Sequence, residues 1–367
     1  MAYYWGISLI LFFLLCIQYG AYQKMSGLFL KISCFVLFIF MALRATSVGA
    51  DTKHYSAIFE QIDGADWRNL FTMPLYGTDW TRMDFEPGYR LLNKLVGVVL
   101  DGGQAITVVN SLIIIGLLYL VIKRWSADPM LSIWIYLTLG TYQTEMNMSR
   151  NAIAILISYL AMKYVKKRRP VSYIAGVSVA TTFHSSSILF FPVYWLANGI
   201  RLDRKRLRNI FIISIVIGIV FPVIRPYLYY IIPERFHEYL EENTTRFQSL
   251  ILGLFHFCLV MGIFVLVDKD KRDTIFLKQS IGTWLFVLDI LMFCIGFTLS
   301  SAARMAALFG PYLMIYIPNL LAEGISSKQR KMTAIAFVFL LCGIQYIMRM
   351  FVNNIGLTIP YQFFWVQ

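Results

Sequence analysis

Charged residues are scarce in this chain of 367 residues, at 14%, while hydrophobic residues make up 58%. Soluble domains are about a quarter charged and about half apolar, so this balance does not fit a water-soluble globule. Apolar stretches near the bilayer-spanning length of about 20 residues recur from end to end. No long polar segment is left to fold outside the lipid, which excludes a soluble enzyme with one tail anchor. The sequence predicts an all-α integral membrane protein, with 1–367 forming a single polytopic membrane domain.

Several chemical signatures are also missing. The five cysteines all lie in apolar runs without CxxC spacing, which is typical of small core residues and not of disulfides or metal ligands. The four histidines are dispersed and form no metal-binding motif. No glycine-rich phosphate loop occurs, which argues against a nucleotide-driven pump. We therefore expect no metal and no cofactor.

Acidic residues are outnumbered by basic ones, and the net charge is +13. Such a charge would suggest nucleic acid in a soluble protein. Here the basic residues cluster in short loops between apolar runs, for example at 166–169 and 201–208. This is the positive-inside pattern of cytoplasmic loops, so we expect no nucleic-acid partner. It places the N-terminus outside and predicts about twelve crossings. The spans at 171–183 and 185–197 are short enough for one of them to be a re-entrant half-helix.

Two longer segments, 44–103 and 225–248, are predicted to face the outside. Both are too aromatic for disorder, and long ordered loops are usually functional. The first is a large extracytoplasmic loop whose amphipathic stretch at 89–100 predicts a helix in the membrane interface. Any chemistry is therefore expected on the outer face.

Six charged or ionisable side chains gather at that face, at or near predicted helix ends. They are Arg44, Asp51, Glu86, Arg150, His184 and Arg304. Charges at membrane depth cost about 3 kcal/mol on insertion scales, so each needs a partner, a water-filled cavity or a function. Individually each has a structural alternative: an arginine reaching lipid phosphates, a satisfied polar histidine, or Asp51 capping a short helix. Asp289, inside a span, is expected to pair with a neighbouring helix. The functional interpretation rests on the whole set.

Such a set favours group transfer from a lipid-linked phosphate. Clustered guanidinium groups match a diphosphate through charged, forked hydrogen bonds. A nearby imidazole or carboxylate can take a proton from a hydroxyl group. The residues thus predict transfer from a lipid-phosphate donor to an alcohol at the outer membrane surface.

Short motifs along the chain resemble those of one family. The first is Arg44 followed by 48–52 and Tyr55. Others are the acidic-Gly-aromatic stretch 85–89, the helix-opening 149–154 with Asn151 where Gln is common, the Phe-His-small stretch 183–187, the Arg304 region and the closing 359–363. In order and spacing they resemble the EpsG family of Wzy-like polymerases of bacterial exopolysaccharide, capsule and O-antigen.

The resemblance implies a GT-C-like glycosyltransferase in the bacterial cytoplasmic membrane, with its active site on the outer face. Such an enzyme moves a growing glycan from undecaprenyl diphosphate to a sugar hydroxyl of the next lipid-linked repeat unit. The reaction would be metal-independent and inverting. The expected partners are undecaprenyl-diphosphate-linked oligosaccharide, membrane lipid, and flippase and chain-length regulator proteins.

Roles follow from combining the resemblance with the chemistry. Arg150 and Arg304 would bind the donor diphosphate, with Arg44 as a third contact. His184 or Asp51 would orient or deprotonate the acceptor hydroxyl. Glu86 would bind sugar hydroxyls or serve as the alternative base. The aromatic residues expected to stack on sugars are Tyr55, Trp80 and Tyr89, although Tyr and Trp are equally expected as interface anchors.

Other functions stay open at this point. A flippase for the same lipid-linked sugar predicts mid-span cations and inverted repeats, and neither is apparent. A membrane acyltransferase acting on polysaccharide would place its catalytic charge on the inner face or in a through-channel. A scaffold role in a polysaccharide assembly complex is the third alternative.

Overall fold

The computed structural model describes residues 2–20, 25–231, 237, 247–354 and 356–366. Within these ranges the regular secondary structure is helical, and the β-structure is limited to two isolated bridges, Arg44 to Phe363 and Tyr76 to Arg82. The α-helices in chain order are α1 Ala2–Gly20, α2 Ser26–Ala42, α3 Thr52–Asp63, α4 Pro87–Gly97, α5 Gly103–Trp125, α6 Pro129–Thr138, α7 Thr141–Asn147, α8 Ser149–Lys166, α9 Pro170–Thr181, α10 Val193–Gly199, α11 Arg204–Leu228, α12 Phe247–Leu266, α13 Ile275–Lys278, α14 Ser280–Ile295, α15 Ser300–Phe309, α16 Leu313–Gly324 and α17 Lys328–Ile347.

Many of these helices are apolar, as the composition predicts. Among the described residues, six helical segments are long and apolar enough to cross a bilayer, one of which, Ser301–Gly324, combines α15 and α16. Four shorter apolar helices of 10–17 residues accompany them. The all-helical, polytopic membrane class predicted from the sequence is therefore confirmed. The figure of about twelve crossings stays a prediction.

Helix starts in the polar loops have clear local causes. Asp128 accepts a hydrogen bond from the backbone of Leu131 at 3.2 Å, and Pro129 opens α6. Asp203 accepts from the backbone of Arg206 at 2.7 Å at the start of α11. Each carboxylate satisfies a backbone N–H that the first helical turn leaves unpaired. The predicted loop positions thus coincide with capped helix starts.

The two short spans predicted at 171–183 and 185–197 are not two continuous helices. The first corresponds to α9, while 185–197 contains a 3₁₀-helix, Ser185–Phe190, followed by the short α10. His184 lies at the break in an extended conformation. Residues 185–197 therefore do not form one continuous helix.

The chain divides into two compact units. The first comprises Met1–Phe191 and Cys342–Gln367, and the second comprises Pro192–Leu341. In the first, α8 packs against α5 and α9, and α2 packs against α5. In the second, α14 packs against α11, α12 and α15. His256 and Asp289 form a buried pair inside the second unit, with Nδ1 and Oδ2 2.6 Å apart, as expected for Asp289.

The predicted outer segment 44–103 contains α3 and α4. They pack against each other and against α5 through the buried residues Phe59, Val96 and Ile106, one from each helix. The opposite side of the α4 region is apolar but exposed, with Leu95 at 52% and Val99 at 77%. The helix α4, Pro87–Gly97, covers most of the amphipathic stretch 89–100, and its position at the membrane interface stays a prediction.

The second predicted outer segment, 225–248, is described only in part. Its first residues belong to α11, which continues to Leu228. Residues 232–236 and 238–246 lie outside the described ranges.

Candidate active site

A close backbone approach positions Glu86. This residue immediately precedes α4 in an extended conformation, and Pro87 begins the helix. The Gly88 N–H donates to the carbonyl of Thr182 at 2.8 Å, which joins the start of α4 to the end of α9. A Cβ atom at Gly88 would lie 2.3 Å from the Thr182 hydroxyl oxygen, so only glycine permits this approach. The contact brings Glu86 to the break that contains His184.

The Glu86 carboxylate binds groups from two other parts of the chain. Arg150, in the first turn of α8, donates from Nη1 to Oε2 at 2.6 Å. Nδ1 of His184 lies 3.0 Å from Oε1, and the Ser185 N–H donates to the same oxygen at 2.9 Å. The three side chains are between 14% and 25% exposed. We call Glu86, Arg150 and His184 the carboxylate cluster.

The protonation state of Glu86 follows from these contacts. Burial alone would raise its pKa, but the hydrogen bond from His184 and the charge of Arg150 outweigh burial and lower the pKa to about 2. Glu86 is therefore ionised at neutral pH, and an ionised carboxylate only accepts hydrogen bonds. His184 must then carry a proton on Nδ1, which leaves Nε2 of the neutral ring able to accept another.

An aromatic wall encloses the Arg150 guanidinium. Its central carbon lies 4.0 Å from the ring centre of Phe85, and the rings of Tyr55 and Tyr89 are 6.0 and 5.9 Å away. Cation–π attraction at these distances favours the charged guanidinium. The three rings contact one another and are at most 6% exposed. Tyr55 and Tyr89 thus surround Arg150, and their predicted stacking on sugars stays a prediction.

Asp51 lies at the start of α3, near the carboxylate cluster. Its backbone N–H donates to Asn147 at 2.8 Å, while its carboxylate makes no capping hydrogen bond. Burial raises the pKa of Asp51, and the nearby charges of His54 and Arg150 partly oppose that effect. Asp51 therefore occupies the cap position expected for it without capping the helix.

The backbone before Asp51 is held by the C-terminal segment. Gly49 and Ala50 donate to the carbonyls of Leu357 and Gly356 at 3.0 and 3.1 Å. Further back, the N–H of Ala45 donates to the carbonyl of Gln362 at 2.9 Å. The position of Asp51 thus depends on residues that follow it by some 300 positions.

Arg44 forms hydrogen bonds with backbone carbonyls and not with the carboxylate cluster. Its guanidinium is buried and donates to the carbonyl oxygens of Met41 and Met146, the latter at 2.8 Å. These two carbonyls lie near the ends of α2 and α7. In this geometry Arg44 ties two helix ends together, and its predicted contact with a diphosphate stays untested.

The two remaining predicted site residues are both exposed. Arg304 lies within α15 of the second unit. Trp80 is 85% exposed on a turn of the first unit that follows α3. Their predicted contacts with the donor diphosphate and with sugar stay predictions.

Two positioning residues were missed by sequence reasoning. Arg90, 6% exposed, donates to the carbonyls of Leu70, Met73 and Phe85 and so anchors the loop before Glu86. His54 lies one turn after Asp51 and contacts the turn that bears Trp80. The only available signals were an arginine inside an amphipathic helix and an Asp-x-x-His spacing, and both patterns are common. In the described part of the chain, no group of three or more His, Cys, Asp or Glu is arranged to bind a metal ion.

The fold and site define a polytopic helical membrane protein with a partly buried carboxylate bound to an imidazole and a guanidinium group. The chain belongs to the EpsG family, whose family model matches residues 27–363. The EpsG family is a Wzy-like polysaccharide polymerase family, which confirms the family expected from the motifs. Membership indicates a polysaccharide polymerase with glycosyltransferase-type activity and does not favour the transporter and acyltransferase alternatives. The chain matches no curated protein and no solved structure.

Proposed function

We propose that the chain polymerises a bacterial polysaccharide by moving the growing glycan from undecaprenyl diphosphate to a sugar hydroxyl of the next lipid-linked repeat unit. The reaction takes place at the outer face of the cytoplasmic membrane, in a GT-C-like fold, and inverts the anomeric centre without a metal. The family supports the polymerase activity. The observation that carries the catalytic assignment is the 3.0 Å contact between Glu86 and His184.

His184 is the catalytic base in this proposal. Glu86 holds the imidazole with a proton on Nδ1, so Nε2 is the ring nitrogen that takes the proton of the acceptor hydroxyl. When Nε2 takes a proton, the ring becomes an imidazolium, and the ionised Glu86 beside it stabilises that charge. His184 is thus the base, and the Glu86 carboxylate orients it, as in other enzymes with a histidine base. General base catalysis increases the reaction rate by about 10²–10⁴-fold.

The reaction is a single displacement. The acceptor hydroxyl oxygen attacks the anomeric carbon of the donor glycan and forms the new glycosidic bond. The bond from that carbon to the lipid diphosphate breaks, and its electron pair leaves with the diphosphate. The hydroxyl proton passes to His184. Attack opposite the leaving group inverts the anomeric configuration.

The three arginines take different roles. Arg150 is paired with Glu86 and enclosed by aromatic rings, so its main role is to hold the carboxylate in place. Its remaining N–H groups bind the donor diphosphate. Arg304 is assigned to the same diphosphate on the sequence motif, and guanidinium suits that ligand. Arg44 is left out because its side chain is 2% exposed.

Asp51 is the second candidate base. Its carboxylate is partly buried, and its pKa is raised, which makes it a better proton acceptor than Glu86. Glu86 is unsuited to this role because its oxygens already bind three donors. Between Asp51 and His184 the geometry favours His184, because the Glu86 carboxylate orients its ring.

The test uses purified protein in lipid nanodiscs with lipid-linked repeat units as the substrate. Chain lengthening is followed on a gel. We expect the wild type to build a ladder, and His184→Ala and Glu86→Gln to slow it by about 10²–10⁴-fold. Lys53→Ala, at an exposed position of α3, is the control and should leave the ladder unchanged.

Two outcomes would contradict the proposal in different ways. Wild-type protein that binds repeat units but never lengthens them would exclude the polymerase reaction. A His184→Ala variant with full activity, together with an inactive Asp51→Asn variant, would transfer the role of base to Asp51.

A further inference from the structure

The turn formed by residues 76–82, here the Trp80 turn, is fixed to α3 by two side chains. Gln61 pairs with the backbone of Tyr76 in both directions, donating to its carbonyl at 2.7 Å and accepting from its N–H at 3.1 Å. About two helical turns earlier in α3, Nδ1 of His54 accepts a hydrogen bond from the N–H of Thr78 at 3.1 Å. His54 and Gln61 are seven residues apart and so lie on the same side of the helix. The turn is therefore attached along about two helical turns of α3.

The Trp80 turn is also closed internally. The Gly77 N–H donates to the carbonyl of Thr81 at 2.9 Å, and the Trp80 N–H donates to the carbonyl of Gly77 at 3.1 Å. The Thr81 hydroxyl donates to Oδ1 of Asp79 at 2.6 Å. A Cβ atom at Gly77 would lie 2.5 Å from Nδ1 of His54, so a larger residue would push the turn away from α3. Backbone and side chains together hold one defined conformation.

This conformation presents an unusual tryptophan. Trp80 has φ of +61°, in the left-handed region that is unfavourable for a bulky side chain. Its side chain is 85% exposed, so burial of the indole ring does not compensate for the strained backbone. Strained residues that the surrounding structure holds in place cluster at ligand-binding sites. The fixed, exposed ring is thus a candidate contact surface.

The position of the turn connects it to the carboxylate cluster. α3 begins directly after Asp51, and His54 follows three residues later, about 4.5 Å along the helix axis. Tyr55, on the same helix, contacts Arg150. A single rigid helix therefore carries one edge of the candidate active site and the attachment of the Trp80 turn.

We propose that the Trp80 turn is a carbohydrate-binding subsite for the acceptor repeat unit. The indole ring stacks on the apolar face of one sugar ring, since Trp offers a rigid face with a polar edge. Asp79, whose hydrogen bonds use Oδ1, offers Oδ2 to a sugar hydroxyl. This inference rests on the proposed function, because it assigns part of the same substrate to this surface.

The neighbours of Trp80 favour a sugar over the lipid bilayer as its contact. Asp79 is 55% exposed, and the Arg82 and Asp84 side chains that follow the turn are 69% and 80% exposed. Burying these charges in lipid would be costly. Stacking on a sugar leaves them in water. A lipid anchor would also need no fixed backbone conformation.

The test measures binding directly, without catalysis. The probe is the free repeat-unit oligosaccharide, released from its lipid by mild acid, and the readout is saturation-transfer NMR on full-length protein in nanodiscs. We expect Trp80→Ala to raise the dissociation constant about tenfold, equivalent to about 1.4 kcal/mol. Trp80→Phe keeps an aromatic face and should stay within about threefold of wild type. Trp67→Ala is the matched control, since Trp67 is also exposed but Lys94 covers its ring.

Variants of the attachment test whether the position of the turn matters. His54→Ala removes the acceptor for Thr78 and should weaken binding about as much as Trp80→Ala. His54→Asn places an oxygen near the position of Nδ1 and should restore most of the affinity. Gly77→Ala, which displaces the turn, should resemble His54→Ala.

Three results would overturn the subsite. The first is unchanged oligosaccharide binding in Trp80→Ala, which is expected if Trp80 is a lipid anchor. The second is an equal loss of affinity in Trp80→Ala and Trp67→Ala. The third is the absence of an oligosaccharide signal with the wild-type protein. Failure of the proposed function is separate, since it appears as absent chain lengthening on the gel while the oligosaccharide still binds through Trp80.

Discussion

Oε1 of Glu86 lies 3.0 Å from Nδ1 of His184, although 98 positions separate the two residues in the chain. The same carboxylate holds Arg150 through its other oxygen. One anion thus orders the imidazole and the guanidinium that the family motifs contain. Replacing this anion is the most direct test of the cluster.

The first prediction concerns Glu86→Gln. The amide keeps the size of the carboxylate but removes the charge that holds Arg150, and the loss of a hydrogen bond between charged groups costs about 1.5–3 kcal/mol. We expect the thermal midpoint of the purified protein to fall along with chain lengthening. Glu60→Gln, on the exposed side of α3, is the control and should change neither. An unchanged midpoint in Glu86→Gln would show that the pair contributes little to stability.

The second prediction is the pH dependence of that stability. The pKa of Glu86 is lowered from 4.5 to about 2 in the folded protein, so its contribution is fully present above pH 4.5. It is lost as the pH falls from 4.5 towards 2. The difference in unfolding midpoint between wild type and Glu86→Gln should therefore stay constant from pH 8 to pH 5 and shrink below 4.5. A difference that already shrinks between pH 7 and pH 6 would contradict a lowered pKa.

The third prediction concerns the contact between α4 and α9. In Gly88→Ala the new methyl group would lie 2.3 Å from the Thr182 hydroxyl oxygen and 2.8 Å from its carbonyl oxygen. The two helices must separate, which moves Glu86 away from His184, and such overpacking costs about 1–3 kcal/mol. We expect chain lengthening to fall at least tenfold. Gly116→Ala is the control, because a Cβ atom there meets nothing within 4 Å.

The fourth prediction separates the two interpretations of Arg44. If its guanidinium mainly joins helix ends, Arg44→Ala and Arg44→Lys should both lower the amount of folded protein, since one ammonium group cannot replace the forked donor. The folded fraction should then retain near-normal KM for the lipid-linked substrate. Normal folding with a greatly raised KM would instead support the diphosphate contact expected from the sequence.

The fifth prediction tests Arg304. Arg304→Ala should reduce the rate of chain lengthening by about 10²–10³-fold if the guanidinium stabilises the departing diphosphate. Arg304→Lys keeps the charge but not the fork and should be intermediate. Arg208→Ala is the control, because Arg208 is exposed near the start of α11 and lies outside the proposed sites. Equal rates for all three variants would remove Arg304 from the site.

The fold class was readable from the sequence because hydrophobic runs of bilayer length are a strong local signal. Helix starts such as those of α6 and α8 follow the polar residues that interrupt these runs. The break at His184 was also visible, since polar residues crowd between two apolar stretches. What the runs did not indicate is that 185–197 forms a 3₁₀-helix and a short α-helix.

The partners within the candidate site were much harder to predict. Sequence reasoning grouped Arg44 with Arg150, because both are arginines at helix ends. Their environments differ: Arg44 binds carbonyl oxygens and Arg150 binds Glu86. Arg150 pairs with Glu86 because the backbone of Gly88 contacts Thr182 and places Glu86 beside it. This contact joins distant segments, and no local sequence pattern predicts it.

The pairing of Gly49 and Ala50 with Leu357 and Gly356 has a consequence for biosynthesis. The ribosome releases residues 356 and 357 only after nearly every helix has been synthesised. Until then the backbone N–H groups of Gly49 and Ala50 lack their partners in the C-terminal segment. A chain arrested before this point would therefore contain every side chain of the carboxylate cluster while the backbone in front of Asp51 still lacked these two hydrogen bonds.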